Sequence, residues 1–141
     1  MAAYKRKSWE EKFKVNRKPE VEVLDKDFAD MHKGDRMLIA TPEVVDAYLR
    51  NIPEGKQTDL KTIRNDLALQ YNATVTCPVT TGIFLRIVAE RAYEQWQKGK
   101  PLKEITPFWR AMNEKSTTAK KLSFGIDFLK EQRRKEGFES E

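Results

Sequence analysis

Few residues of this 141-residue chain could serve as nucleophiles, bases or metal ligands. It contains one cysteine, Cys77, and one histidine, His32, which lie far apart in the sequence. A thiol reacts as the thiolate, which a neighbouring base or cation has to generate, and no such partner stands close to Cys77 in the sequence. We therefore expect Cys77 to be a small buried apolar residue, and we expect no disulfide, no metal site and no cofactor.

A second candidate for chemistry is the stretch 100–112 (KPLKEITPFWRAM), in which Phe108 and Trp109 stand between a proline and Arg110. Two adjacent aromatic rings can line a binding site, or they can pack in a core. Arg110 is always charged and could fix a loop around a pocket, or it could form a structural ion pair with an acid. The sequence leaves both alternatives open for each of these three residues.

Helix-start signals indicate the elements that position this stretch. Thr41-Pro42-Glu43 combines a hydroxyl cap, a proline and an acid, which is typical of a helix start. Further helices are expected from about Asp59, after Pro78, over residues 126–136 and, with a capping box, after Ser8. Residues 36–40 (RMLIA) indicate a short buried strand, and residues 18–35 indicate irregular structure. The sequence thus predicts a mainly α-helical fold with short strands.

The net charge of +5 is concentrated at one end of the chain. Residues 1–19 contain seven Lys or Arg and two Glu, whereas the rest contains 20 basic and 20 acidic residues. We therefore divide the chain into a basic N-terminal arm with its lead-in, residues 1–35, and a domain over residues 36–141. Basic arms bind phosphate backbones, but charged termini also promote solubility. No apolar run approaches the about 18 residues of a membrane helix and the N-terminus has no signal-peptide pattern, so we expect a cytoplasmic protein without membrane contact.

Three segments resemble, in order, landmarks of the DNA-binding domain of the DNA-alkylguanine alkyltransferases, the methylated-DNA–protein-cysteine methyltransferases. They are residues 52–63 (IPEGKQTDLKTI), 90–112 (ERAYEQWQKGKPLKEITPFWRAM) and 135–137 (KEG). The family has an Ile-Pro-x-Gly turn, an Arg-Ala-Val-Gly segment on a helix, and Gly-Asn-Pro followed after five residues by Pro-Cys-His-Arg-Val. The matching positions here are Arg91, Ala92, Gly99, Pro101, Pro107 and Arg110. The resemblance covers about residues 40–137 and implies a winged helix-turn-helix fold.

This chain departs from the family at the residues that perform the family's reaction. Phe108 replaces the acceptor cysteine and Trp109 replaces the adjacent histidine, and a phenyl ring has no lone pair with which to accept an alkyl group. Leu60, Glu94 and Lys100 replace the family's tyrosine, glycine and hinge asparagine at three further positions. The chain is similar to the alkyltransferase-like branch, which lacks the cysteine, binds alkylated DNA and passes the lesion to other repair proteins. The resemblance therefore implies a protein that is not an enzyme.

The function implied is the binding of double-stranded DNA with alkylated or damaged bases, and other repair proteins are implied as further partners. The implied DNA contacts are Lys61, Arg64, Thr80, Thr81, Arg86 and Arg91. The implied base pocket comprises Phe108, Trp109 and Arg110. One alternative is a protein-interaction module that has kept the fold and lost DNA binding, which the replaced residues and the neutral body favour. Another is a methyltransferase that uses Cys77 as its nucleophile.

Overall fold

The computed structural model describes residues 7–138. Within this range the chain forms six α-helices, three short β-strands and two single-turn 3-10 helices, which follow in the order given next. They are α1 (Trp9–Phe13), β1 (Glu20–Val23), β2 (Arg36–Ile39), α2 (Pro42–Arg50), α3 (Leu60–Gln70), β3 (Val75–Thr76), α4 (Pro78–Gln97), the 3-10 helices Leu102–Glu104 and Phe108–Arg110, α5 (Thr117–Lys120) and α6 (Asp127–Lys135). The fold is therefore mainly helical with a small sheet, as the sequence predicts.

The helices begin where their capping residues predict. Ser8 and Glu11 form the reciprocal capping box of α1. The hydroxyl of Thr41 caps α2, and the carboxylate of Asp59 caps α3. The long helix α4 has no side-chain cap and begins with Pro78, whose fixed backbone angle suits the first position of a helix. These four predicted starts are confirmed.

The three strands form one sheet in the order β1–β2–β3, in which β1 is antiparallel and β3 is parallel to β2. The prediction that residues 18–35 are irregular is wrong at β1 and at the bridge between Phe28 and Met31. The strand β1 reads Glu-Val-Glu-Val and is mostly exposed. It pairs with β2, and its alternation of polar and apolar residues has the period of two that is typical of a strand, so the prediction overlooked a signal that the sequence contains.

The helix α4 forms the centre of the fold and contacts α1, α2, α3 and α5. Its buried residues Leu85, Val88, Ala89 and Ala92 recur at the spacing of one helix face. The helix α1 packs against α4 through Phe13, which is buried in the same core, so this part of the basic arm belongs to the folded body. None of the helices that the structure describes has both the length and the apolar character needed to cross a membrane.

Candidate functional site

A buried polar cluster surrounds the carboxylate of Glu136, the residue after α6. Arg110 Nε donates to its two oxygens at 2.9 and 3.0 Å, the Gly55 N–H donates at 2.9 Å, and the Trp109 indole N–H donates as well. The side chains of Arg110 and Glu136 are 15% and 7% exposed. Burial raises the pKa of Glu136, but the hydrogen bonds from Arg110, Gly55 and Trp109 outweigh it, so the pKa lies below its usual value. We call these four residues, together with Ile52, the Glu136 centre.

The Glu136 centre joins three segments that are distant in the sequence. The Arg110 guanidinium also donates to the Ile52 carbonyl at 2.8 Å, and the Thr58 N–H donates to the Arg110 carbonyl at 2.7 Å. The contact between Gly55 and Glu136 spans 81 positions. The turn at residues 52–55, the 3-10 helix that contains Arg110 and the end of α6 therefore share one hydrogen-bond network. This geometry agrees with the structural ion pair that the sequence left open for Arg110.

Arg133 of α6 fastens the same stretch a second time. Its Nη1 donates to the carbonyls of Trp109 and Met112 at 2.8 and 3.0 Å, and its Nη2 donates to Gln57 Oε1 at 2.8 Å. The residue is 7% exposed. Sequence reasoning missed this role because the acceptors are backbone carbonyls 24 and 21 positions away, and no residue type marks them.

Phe108 lies inside an aromatic cluster. Its ring is 0% exposed, and its centroid is 5.4 Å from that of Trp109 and 5.9 Å from those of Phe124 and Phe128. Both faces of the ring are therefore closed to a base, and Phe108 packs in the core. Trp109 is also buried, but part of its surface lines a neighbouring cleft.

This cleft, which we call the basic cleft, has a volume of about 590 Å³ and opens beside the Glu136 centre. Its charged lining residues are the four cations and two carboxylates Arg50, Lys103, Arg110, Lys135, Glu54 and Glu136. Arg110 forms an ion pair with Glu136, and Arg50 forms one with Asp46 at 2.9 Å. Lys103 and Lys135 are exposed and have no ion pair among the residues that the structure describes. Glu54 is also exposed and offsets one of these two charges, so the rim of the basic cleft carries a surplus of one positive charge.

Two arginines that were predicted to contact DNA are occupied by carboxylates from distant segments. Arg64 donates to both carboxylate oxygens of Asp30 at 2.7 and 2.8 Å and to the carbonyl of Thr76. Arg91 pairs with Glu10 at 2.9 Å, and its guanidinium lies 3.9 Å from the centre of the Phe13 ring. Because α1 provides both partners of Arg91, this arginine is covered by the arm instead of being presented to a ligand.

The other residues predicted to contact DNA differ in exposure. Thr81 is fully buried and donates its hydroxyl to the Cys77 carbonyl at 2.6 Å, so it does not reach a ligand at the surface. The buried hydroxyl of Thr80 has no hydrogen-bond partner within residues 7–138. Lys61 is exposed at the start of α3, and the half-exposed Arg86 bonds to Glu90 at 3.3 Å. Of the six predicted residues, only Lys61 and Arg86 present charge to solvent, and neither lines the basic cleft.

Cys77 is 4% exposed and packs with Met31 and Met37, and the sheet residue Val75 packs against this cluster. At this exposure the thiol is closed to a substrate that approaches from solvent. Among the described residues, no group of three or more His, Cys, Asp or Glu is arranged to hold a metal ion. The features left for binding a ligand are those of the basic cleft, which has hydrogen-bonding groups, a positively charged rim and part of the Trp109 surface.

Comparisons of the chain with protein-family profiles, with curated proteins and with solved structures give no match.

Proposed function

We propose that this chain is a non-enzymatic DNA-binding protein of the alkyltransferase-like type, with a winged helix-turn-helix core, that recognises alkylated or damaged bases. The observation that carries the proposal is the convergence of residues 52–55, 107–110 and 136 on the Glu136 centre. The segments that carry the sequence resemblance are thus also in contact in space. They meet at the side of the basic cleft, where a nucleotide would have to enter.

We propose no enzymatic activity because neither of the two candidate positions, 108 and 77, offers an accessible nucleophile. Phe108 stands where the acceptor cysteine of the family would stand, and its ring is buried in the aromatic cluster. Cys77 is 4% exposed and packs against Met31 and Met37, so a DNA base does not reach its thiol. Recognition without alkyl transfer is the chemistry that remains.

The structure supports a different docking surface from the one that the sequence suggested. Arg64 and Arg91 are occupied by Asp30 and Glu10, whereas Lys103 and Lys135 extend from the rim of the basic cleft. We therefore assign the main phosphate contacts to these two lysines. The buried Trp109 and Arg110 then form the floor against which a base would rest.

A titration of fluorescent duplexes tests this proposal. The full chain is added to matched duplexes with and without one alkylated guanine, at about 50 mM and about 200 mM salt. We expect tighter binding to the alkylated duplex and a steep loss of affinity at the higher salt concentration, because phosphate contacts release counterions. No binding at the lower salt concentration, or binding that ignores salt, would contradict the proposal.

Charge reversal locates the DNA surface. The variant Lys103→Glu/Lys135→Glu should lose about tenfold or more in affinity and show a smaller salt slope. The matched control, Lys26→Glu/Lys33→Glu, changes the net charge equally at two exposed lysines outside the basic cleft. It should lose much less affinity. Equal losses in the two variants would mean that only net charge matters and that the basic cleft is not the site.

A further inference from the structure

A second depression, which we call the apolar groove, lies along the N-terminal half of α4. It has a volume of about 680 Å³ and is formed by α1, by Leu60 at the start of α3, by the first half of α4 and by α5. The side chains that define its character are Trp9, Lys12, Val79, Ile83, Arg86 and Lys121. Within residues 7–138 it shares no lining residue with the basic cleft.

The floor of the apolar groove exposes a stripe of aliphatic side chains. Val79 and Ile83, one helical turn apart on α4, are 51% and 53% exposed, and Ile87, one turn further, lines the groove but is only 8% exposed. The other exposed large apolar side chains of the described residues are Val23, Phe28, Leu69 and Trp96, and none of them lines this groove. A contiguous apolar stripe at the floor of a groove is typical of an interaction site.

The rim of the apolar groove is positively charged. Lys12 and Arg86 lie over the ring of Trp9, with the ammonium nitrogen at 4.3 Å and the guanidinium carbon at 5.2 Å from its centroid. Lys121 extends from the end of α5. Of these cations only Arg86 has an ion pair in the described part of the chain, with the buried Glu90. No carboxylate lines the groove among the residues that the structure describes.

We propose that the apolar groove binds an acidic amphipathic helix of a partner protein. Aliphatic side chains of that helix would cover Val79 and Ile83, and flanking carboxylates would pair with Lys12 and Lys121. The groove is walled by helices, whose backbone groups are already hydrogen-bonded, so it offers no strand edge for an extended peptide. Its apolar floor gives a phosphate backbone no donors. This inference is independent of the proposed DNA binding, because the two surfaces have no lining residue in common.

A designed helix provides the probe. It is a fluorescent peptide of about 16 residues with leucines at helical spacing along one face and glutamates beside them. The control peptide carries lysine at every glutamate position. We expect saturable binding of the acidic peptide to the full chain and at least about tenfold weaker binding of the basic one, because like charges repel at the rim. Absent binding of the acidic peptide, or equal binding of both, would overturn the proposal.

Two substitutions to glutamate test whether the peptide binds the apolar groove or any exposed apolar side chain. Ile83→Glu places an acid on the floor of the groove, and Leu69→Glu makes the same change at a leucine of α3 that is 81% exposed and lies outside it. Ile83→Glu should weaken peptide binding by about tenfold or more, whereas Leu69→Glu should change it by less than about twofold. Both variants change exposed positions and should fold, which the helical circular dichroism signal checks. Equal effects of the two would contradict the assignment.

The same variants distinguish a failure of this inference from a failure of the proposed function. Ile83→Glu should leave duplex binding unchanged, and Lys103→Glu/Lys135→Glu should leave peptide binding unchanged. If Ile83→Glu abolished duplex binding instead, the groove would belong to the DNA surface and the peptide proposal would be wrong.

Discussion

The basic cleft and the apolar groove are both depressions with cations at their rims, but their floors differ. The cleft lies against the Glu136 centre, in which the buried Arg110 and Glu136 have partners from three segments. The floor of the groove consists of Val79 and Ile83, which are about half exposed. One floor is a polar network that the chain completes by itself, and the other is apolar surface that the chain leaves uncovered.

This difference separates what the fold requires from what a partner would require. Removing two charges from water costs several kcal/mol, and only well-placed hydrogen bonds return it. The Glu136 centre is therefore evidence of a constraint on how three segments meet, and it explains the positions of Trp109 and Arg110 without any ligand. The exposed halves of Val79 and Ile83 have no such internal explanation, since apolar surface that faces water adds nothing to the hydrophobic stabilisation of the fold.

We expect the largest effect from a substitution of the buried Phe108, beside the basic cleft. Phe108→Ala removes a fully buried ring that packs against Trp109, Phe124 and Phe128. We expect it to lower the free energy of unfolding by about 4 kcal/mol, because a cavity remains where the ring was. The matched substitution in the groove, Ile83→Ala, should change it by less than about 0.5 kcal/mol because that side chain is already half solvated. Urea unfolding measures both, and a loss below about 1 kcal/mol for Phe108→Ala would show that the ring is not a core residue.

The second expected effect concerns the charge at the Glu136 centre. Glu136→Gln leaves the buried Arg110 without its counter-charge and should lower the free energy of unfolding by about 3 kcal/mol. The control is Glu131→Gln, which breaks the exposed pair with Arg134 on the same helix and should produce no measurable change. Urea unfolding of the two variants at neutral pH provides the measurement. Equal losses would mean that the Glu136 centre is as well solvated as the surface pair.

Much of the helical framework could be predicted from the sequence, because helix caps act locally. Thr41 and Asp59 mark helix starts by residue type alone, and the structure places α2 and α3 accordingly. The strand β1 was not predicted because its alternation of glutamate and valine was overlooked, whereas the four-residue helix α5 is too short for a periodic pattern. The convergence of the remote segments at Glu136 could be suspected only from their order and spacing.

The local sequence does not reveal whether the arginines that were predicted to contact DNA are free or are paired with a carboxylate. The carboxylate that occupies Arg64 is Asp30, 34 positions away, and the one that occupies Arg91 is Glu10, 81 positions away. A solvated cation and a paired cation look alike until the tertiary structure brings such an acid close. The apolar groove was missed for a related reason: Ile83 fits a helical core pattern, and only the packing of α4 shows that it faces outward.

The smallest expected effect is the pH dependence of the Glu136 centre. Burial raises the pKa of Glu136, but the hydrogen bonds from Arg110, Gly55 and Trp109 hold it below its ordinary value. The unfolded chain then takes up a proton near the ordinary value of about 4.3 while the folded chain still resists it. The stabilisation is therefore complete above this pH and is lost as the pH falls through the lower pKa of the folded state.

The variant Glu136→Gln separates the pH-dependent stabilisation by Glu136 from that by other carboxylates. Asp30, Asp59 and Glu131 also have lowered pKa values, and wild-type unfolding in acid therefore reports all four carboxylates. The main causes are hydrogen bonds from the Arg64 side chain, from the Thr62 N–H and from the Arg134 side chain, respectively. Glu136→Gln cannot titrate at this position, and the difference between wild type and variant should shrink between about pH 6 and about pH 3. Urea unfolding of both proteins across this range measures it. A difference that stays constant would mean that Glu136 has the same pKa in the folded and unfolded chains, and that the Glu136 centre holds its segments by shape instead of by charge.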